Sequence, residues 1–172
     1  DLFDKQNNKN LKKISREGLK YLYDKNILEN TETFVRINSQ KSEFYQHDVQ
    51  TISSILEKKS SIKGIFLPKV ENYNQIKDCY DQLSTSKKNK FTIVPMIETE
   101  KGLKNLDKIL LQDKFNDIIK YVHYGHYDFC LDSNFWPFPE PYHFEYWKII
   151  EEISKSVIKH KKKYIHTPFP LI

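Results

Sequence analysis

Short apolar runs alternate with helix-periodic segments along the whole chain, and that alternation leaves few folds open. Thr33-Phe34-Val35-Arg36-Ile37-Asn38, Ile62 to Val70, Phe91 to Glu98, Ile118 to Gly125 and Lys163 to Phe169 are rich in β-branched and aromatic residues. Between them the apolar spacing is helical: Leu11, Ile14, Leu19 and Leu22, then Val49, Ile52, Ile55 and Leu56, then Tyr73, Ile76, Tyr80 and Leu83. Gly102 to Leu111 and Phe144 to His160 complete the series of predicted helices. Near-continuously apolar strands, each followed by a helix, imply a parallel sheet covered by helices. No linker, low-complexity tract or composition break interrupts the pattern, so residues 1–172 are expected to form a single domain.

A barrel and a doubly wound sheet both satisfy this alternation. The chain has only four glycines and contains no Gly-x-Gly-x-x-Gly or Gly-x-x-x-x-Gly-Lys motif, which leaves a dinucleotide or P-loop reading unsupported. Polar residues gather instead at the carboxyl ends of several strands: Arg36 and Asn38, Lys69 and Glu71, Glu98, and Asp128 beyond Gly125. That distribution points to a (β/α)₈ barrel. Such barrels need ~250 residues, so 172 residues predict a partial α/β TIM barrel, with the first and last strand units missing.

The balance of 38% hydrophobic and 30% charged residues, with 14% aromatics, is that of a globular chain. No run approaches the ~18 apolar residues that a membrane span requires. With two cysteines, Cys79 and Cys130, no disulfide framework is expected, and a cytoplasmic setting is the default. A net charge of +5 raises the question of nucleic acid, but the lysines are scattered over predicted helix surfaces, and no nucleic-acid partner is expected.

Two carboxylates at neighbouring strand ends, Glu98 and Asp128, would be costly to bury without a partner. Mg²⁺ or Mn²⁺ would remove that cost and leave open positions for substrate oxygens. Strand alternation places Arg36 and Asn38 on the face opposite Val35 and Ile37, where an arginine fork would meet a carboxylate. Structural readings stand beside these: Arg36 paired with Asp1 or Asp4, Glu98 capping the helix at Gly102, Asp128 bridged to Arg36. Spacing alone leaves them open. His123 and His126 raise the possibility of zinc, but positions three apart in a strand face opposite ways. His126 is a candidate proton donor by proximity, and His166 is a weaker one. The aromatic, proline-stiffened loop from Asn134 to Phe144 either roofs the site or packs in the core or against a partner.

Several of these segments, in order, resemble the citrate lyase β-subunit-like (HpcH/HpaI aldolase) family of the Mg²⁺-dependent pyruvate/phosphoenolpyruvate barrel superfamily. They are Asp1-Leu2-Phe3-Asp4, Val35-Arg36-Ile37-Asn38, Leu67-Pro68-Lys69-Val70-Glu71, Ile97-Glu98-Thr99-Glu100-Lys101-Gly102-Leu103, Gly125-His126-Tyr127-Asp128-Phe129 and Ile165-His166-Thr167-Pro168-Phe169. The resemblance implies that Glu98 and Asp128 hold the metal and that Arg36 binds the substrate carboxylate or keto oxygen. It implies that Asp1 and Asp4 orient Arg36 or metal-bound waters, that Lys69 and Glu71 support the rim, and that Gly125 lets backbone approach the ligand. The implied chemistry is reversible carbon–carbon cleavage of a 2-oxo, hydroxy or acyl-CoA acid through a metal-stabilised enolate, in a homo-oligomer. Phe3, Tyr127 and His166 depart from the family pattern, which bears on the substrate and on CoA use. A non-catalytic relative that binds a small acid or a protein is the alternative.

Overall fold

A computed structural model of the chain describes residues 5–28, 30–58, 62–83, 91–115, 117–135 and 143–167. Asp1, Phe3 and Asp4, the lysines at 87, 88 and 90, and most of the aromatic loop lie outside them. In chain order the elements are α1 (Lys5–Asp24), β1 (Thr33–Arg36), α2 (Tyr45–Lys58), β2 (Ile62–Leu67), α3 (Tyr73–Leu83) and β3 (Thr92–Ile97). There follow α4 (Glu100–Gln112), a 3₁₀ turn (Asp113–Phe115), β4 (Tyr121–Tyr124), α5 (His126–Asp132), α6 (Phe144–Lys159) and β5 (Lys163–His166).

The strands lie in sequence order, β1-β2-β3-β4-β5, and every neighbouring pair is parallel. A doubly wound sheet would reverse its strand order at a switch point; these strands do not, so their topology is that of a barrel. The sheet is also curled. Neighbouring strands are about 4.8 Å apart, so β1 and β4 would stand roughly 14 Å apart in a flat sheet. Yet the rings of Phe34 and Tyr121 meet edge to face at 5.8 Å, and Phe66 reaches His123 at 5.5 Å. Five parallel strands wound one way and bent inward form part of a TIM-type barrel.

The two faces divide the side chains. Ile65, Leu67, Ile93, Ile97, Val122 and Tyr124 point outward and are buried beneath the helices. They pack with Ile52 and Leu56 of α2, Ile76 and Leu83 of α3, Leu106 and Ile109 of α4, and Ile153 and Val157 of α6. Phe34, Arg36, Phe66, Met96 and His123 face the concave side. Gly64 makes room there: a Cβ would lie 2.5 Å from the Phe34 ring and 2.8 Å from Thr92 Cγ2.

The amino ends of the strands are tied by one buried carboxylate. Asp113 accepts from the backbone N–H groups of Ile118 and Ile119 at 3.0 and 2.9 Å, and from Lys162 Nζ at 2.9 Å. At the other end, Thr99 caps α4 by accepting from Gly102 N–H at 3.0 Å. A Cβ on Gly102 would sit 2.5 Å from the Val70 carbonyl oxygen, so glycine lets α4 start hard against the end of β2.

Candidate active site

The carboxyl ends of the strands enclose a cavity of about 400 Å³. Glu98, the residue after β3, is its most buried charged group at 1% exposure. Its Oε2 accepts from the Lys69 backbone N–H at 3.0 Å, and its Oε1 stands 3.6 Å from Arg36 Nη2. Asp128 lies in the first turn of α5 and receives Lys69 Nζ at 2.9 Å. Lys69 therefore touches both carboxylates, one through its backbone and one through its side chain. To do so it adopts a left-handed conformation, φ 54°, which costs a non-glycine residue about 1 kcal/mol.

Electrostatics follow from burial. The Glu98 carboxyl is pushed up to about 6, chiefly by desolvation and then by Asp128, while Arg36 and the Lys69 backbone and ammonium pull it down. The Lys69 ammonium is held above its ordinary value by its hydrogen bond to Asp128. His123 and His126 are both pushed down to about 4, first by burial, so both imidazoles are neutral at neutral pH. Burial raises the Cys79 and Cys130 thiols to about 11, which leaves no thiolate nucleophile at neutral pH.

Gly125 is the point of closest approach. Its backbone N–H donates to the Ile97 carbonyl at 3.0 Å, and a Cβ there would lie 2.5 Å from Glu98 Cγ and 2.6 Å from Oε1. Glycine thus allows the β4–α5 turn to press against the Glu98 carboxylate.

Arg36, Glu98, Gly125, His126 and Asp128 come together around the cavity, and Lys69 joins them through its ion pair with Asp128. Glu71 and Asn38 do not join them. Glu71 is paired outside the cavity with Lys101 Nζ at 3.0 Å. Asn38 donates to Asp48 Oδ2 from its backbone N–H at 2.8 Å and from its side chain at 2.5 Å, and Asp48 also pairs with Arg16 at 3.1 Å. Asp1 and Asp4 fall outside the described residues. The capping role open to Glu98 belongs to Thr99, and the bridge open between Asp128 and Arg36 is made by Lys69 instead.

Sequence reasoning passed over two features. Thr167 lines the cavity, donates to the Tyr124 carbonyl at 2.8 Å and lies 2.9 Å from His123 Nε2. Since its one proton goes to the carbonyl, it accepts from His123 Nε2–H. The second is the helical start at His126, which puts Asp128 on a helix rather than on a strand end. Gly125 offers no side-chain cap to announce that helix.

Among the described residues there is no group of three or more His, Cys, Asp and Glu side chains that could hold a metal ion. A zinc site built on His123 and His126 finds no such set. Two carboxylates nevertheless suit Mg²⁺, a hard cation that keeps several waters and takes few protein oxygens. The raised Glu98 carboxyl shows what such an ion would offset.

A family model described as HpcH/HpaI aldolase/citrate lyase matches residues 2–156. No curated protein matches the chain. Among solved structures, RipC from Yersinia pestis superposes with a TM-score of 0.70 at 12% identity, over 98% of this chain and 66% of that one. A citrate lyase from Burkholderia xenovorans LB400 gives 0.65 at 16% identity, over 80% of this chain and 45% of that one. A citrate lyase beta subunit from M. tuberculosis, complexed with oxaloacetate and magnesium, gives 0.60 at 14% identity, over 78% and 53%. At these identities the agreement is one of fold, and the chain spans between 45% and 66% of those proteins. The curled, sequentially wound parallel sheet is the fold these structures share, and the family match runs from its first helix into its last. The chain belongs to the HpcH/HpaI aldolase/citrate lyase family.

Proposed function

We propose that the chain carries the metal- and acid-binding part of a Mg²⁺- or Mn²⁺-dependent carbon–carbon lyase, an aldolase or citrate lyase β-like enzyme acting on a 2-oxo, hydroxy or acyl-CoA acid. The observation that carries this is Glu98, 1% exposed and with its carboxyl raised to about 6, set beside Asp128 and 3.6 Å from Arg36. A fully buried carboxylate with a second, half-buried carboxylate beside it is a structural liability unless the site serves a ligand. The magnesium and oxaloacetate of the M. tuberculosis citrate lyase beta subunit support the same reading.

In this proposal Glu98 and Asp128 hold the ion. A bound Mg²⁺ would supply Lewis-acid stabilisation of the negative charge that develops when a bond next to a carbonyl breaks. Arg36, 60% exposed at its side chain, turns its fork to the substrate carboxylate. Gly125 keeps the wall beside Glu98 thin. His126, the proton-donor candidate, lines the cavity two residues before Asp128, and burial keeps its imidazole neutral. Assembly into a homo-oligomer belongs to the same proposal, with Leu11, Ile14 and Tyr21 of α1 as exposed apolar surface.

One observation favours the non-catalytic alternative: Arg36 and Lys69 already pair with both carboxylates. Deuterium exchange into pyruvate and oxaloacetate, followed by NMR with Mg²⁺ or Mn²⁺, separates the two. Exchange that disappears in Glu98→Gln and Asp128→Asn, with folding retained, is the expected result. Metal binding without exchange would support the binding-only reading.

A further inference from the structure

Lys69 meets both carboxylates, as a divalent cation would. Its backbone N–H meets Glu98 Oε2 at 3.0 Å and its ammonium meets Asp128 Oδ1 at 2.9 Å. A lysine in left-handed backbone is an unfavourable choice for the tip of a turn, where glycine or asparagine would be relaxed. Asparagine or glycine would also preserve the backbone N–H, so the turn itself gives no reason for the long cationic side chain. Its ion pair with Asp128 does. Arg36 is the other cation at the site, and its 3.6 Å approach to Glu98 is too long for a hydrogen bond.

Among the described residues, Glu98 and Asp128 face Arg36 and Lys69, and Asp132 adds a further negative charge near Lys69. An added divalent ion would therefore meet an ammonium already occupying one of its two ligands.

We propose that Lys69 is a resident cation: it occupies Asp128 until a divalent metal displaces it, so that metal binding to this chain is an exchange of one ammonium for one ion. This rests on the reading of Glu98 and Asp128 as metal ligands. The Lys69 backbone N–H keeps its grip on Glu98 throughout, and only the side chain moves, from a position already half-exposed at the cavity mouth. The ion then meets a Glu98 held in place and an Asp128 that has been released. The ammonium screens two neighbouring carboxylates from each other, and it lowers their affinity for a metal ion.

The test is Mn²⁺ affinity, read from the electron paramagnetic resonance signal of free Mn²⁺, in the wild-type chain and in Lys69→Met, Lys69→Gly and Lys69→Arg. Lys69→Gly keeps the backbone N–H and relieves the left-handed residue, so it guards against a folding defect. Exposed ion pairs are worth up to ~1 kcal/mol, so removing the competing ammonium should tighten Mn²⁺ binding about fivefold. Lys69→Met and Lys69→Gly should both show this, and Lys69→Arg should stay near the wild type. Melting temperature gives a second readout: Mn²⁺ should raise it more in Lys69→Met than in the wild type. Unchanged or weaker Mn²⁺ binding in both neutral variants, with the wild type binding normally, would overturn the exchange and leave the metal site standing. Failure of all four proteins to bind Mn²⁺ would overturn the metal site and the exchange together.

Discussion

Replacing Gly125 with alanine adds one methyl group at the most crowded point of the cavity. The new carbon would lie 2.5 Å from Glu98 Cγ, 2.6 Å from Oε1 and 2.9 Å from Cδ. Glu98 cannot retreat cheaply, because it is 1% exposed and held by the Lys69 N–H at 3.0 Å. Backbone strain contributes little, since φ is −95° and alanine accepts negative φ. The cost is therefore overpacking, about 1–3 kcal/mol. For a chain of this size each kcal/mol lowers Tm by ~2–4 °C, so the melt should fall by roughly 2–12 °C.

The damage runs through the Glu98 side chain. In a Glu98→Ala background the contact is gone, and Gly125→Ala should become neutral or stabilising by up to ~1 kcal/mol, because alanine restricts the unfolded chain. Urea denaturation of the wild type, both single variants and the double variant gives the coupling directly, and ~2 kcal/mol is expected. A coupling within ~0.5 kcal/mol of zero would refute the contact as the cause.

Acid should destabilise the fold through His123. Its folded value is about 4 against an ordinary 6.5, so the unfolded chain takes up the proton first. Stability is full above about 6.5 and is lost as pH falls towards 4, about 2 kcal/mol of it by pH 5; His123→Gln should flatten that part of the pH profile, and an unchanged slope would sink the idea. At the opposite end of the strands, Asp113→Ala should cost about 3–5 kcal/mol, because it orphans the Ile118 and Ile119 N–H groups and leaves Lys162, 10% exposed, with only the 3.5 Å contact to Asp117. Calorimetric Mn²⁺ affinity should stay unchanged in that variant while it remains folded, and a large loss would mean the two ends are not independent.

Periodicity made the sheet legible. Apolar runs marked every described strand, and their order forecast parallel pairing, because a helix lies between successive runs to carry the chain back. The edges of the reading are equally physical. Asn38 was placed beside Arg36 by two-residue alternation, but β1 ends at Arg36, and beyond it the chain turns so that Asn38 meets Asp48. Glu98 and Gly125 stood out as the ends of apolar runs, and the resemblance to known segments linked them to Asp128. Helix α5 was hidden because its cap is a bare glycine and its first residues, His126 and Tyr127, carry no strong helical preference. The Lys69 bridge could not be read at all. It depends on a left-handed lysine, and nothing in local spacing favours that conformation there.

The aromatic contact of Phe34 with Tyr121 has a kinetic side. These rings, with Phe66 against Phe34 at 6.0 Å, pave the inner face below Arg36. Among the described residues, a metal ion and an acid reaching Glu98 would then both approach from the carboxyl ends of the strands. An acid that binds above the ion covers it, so the ion should leave more slowly when the acid is in place. A stopped-flow chase of bound Mn²⁺ with a chelator, with and without oxaloacetate, would show that covering as a difference in release rate.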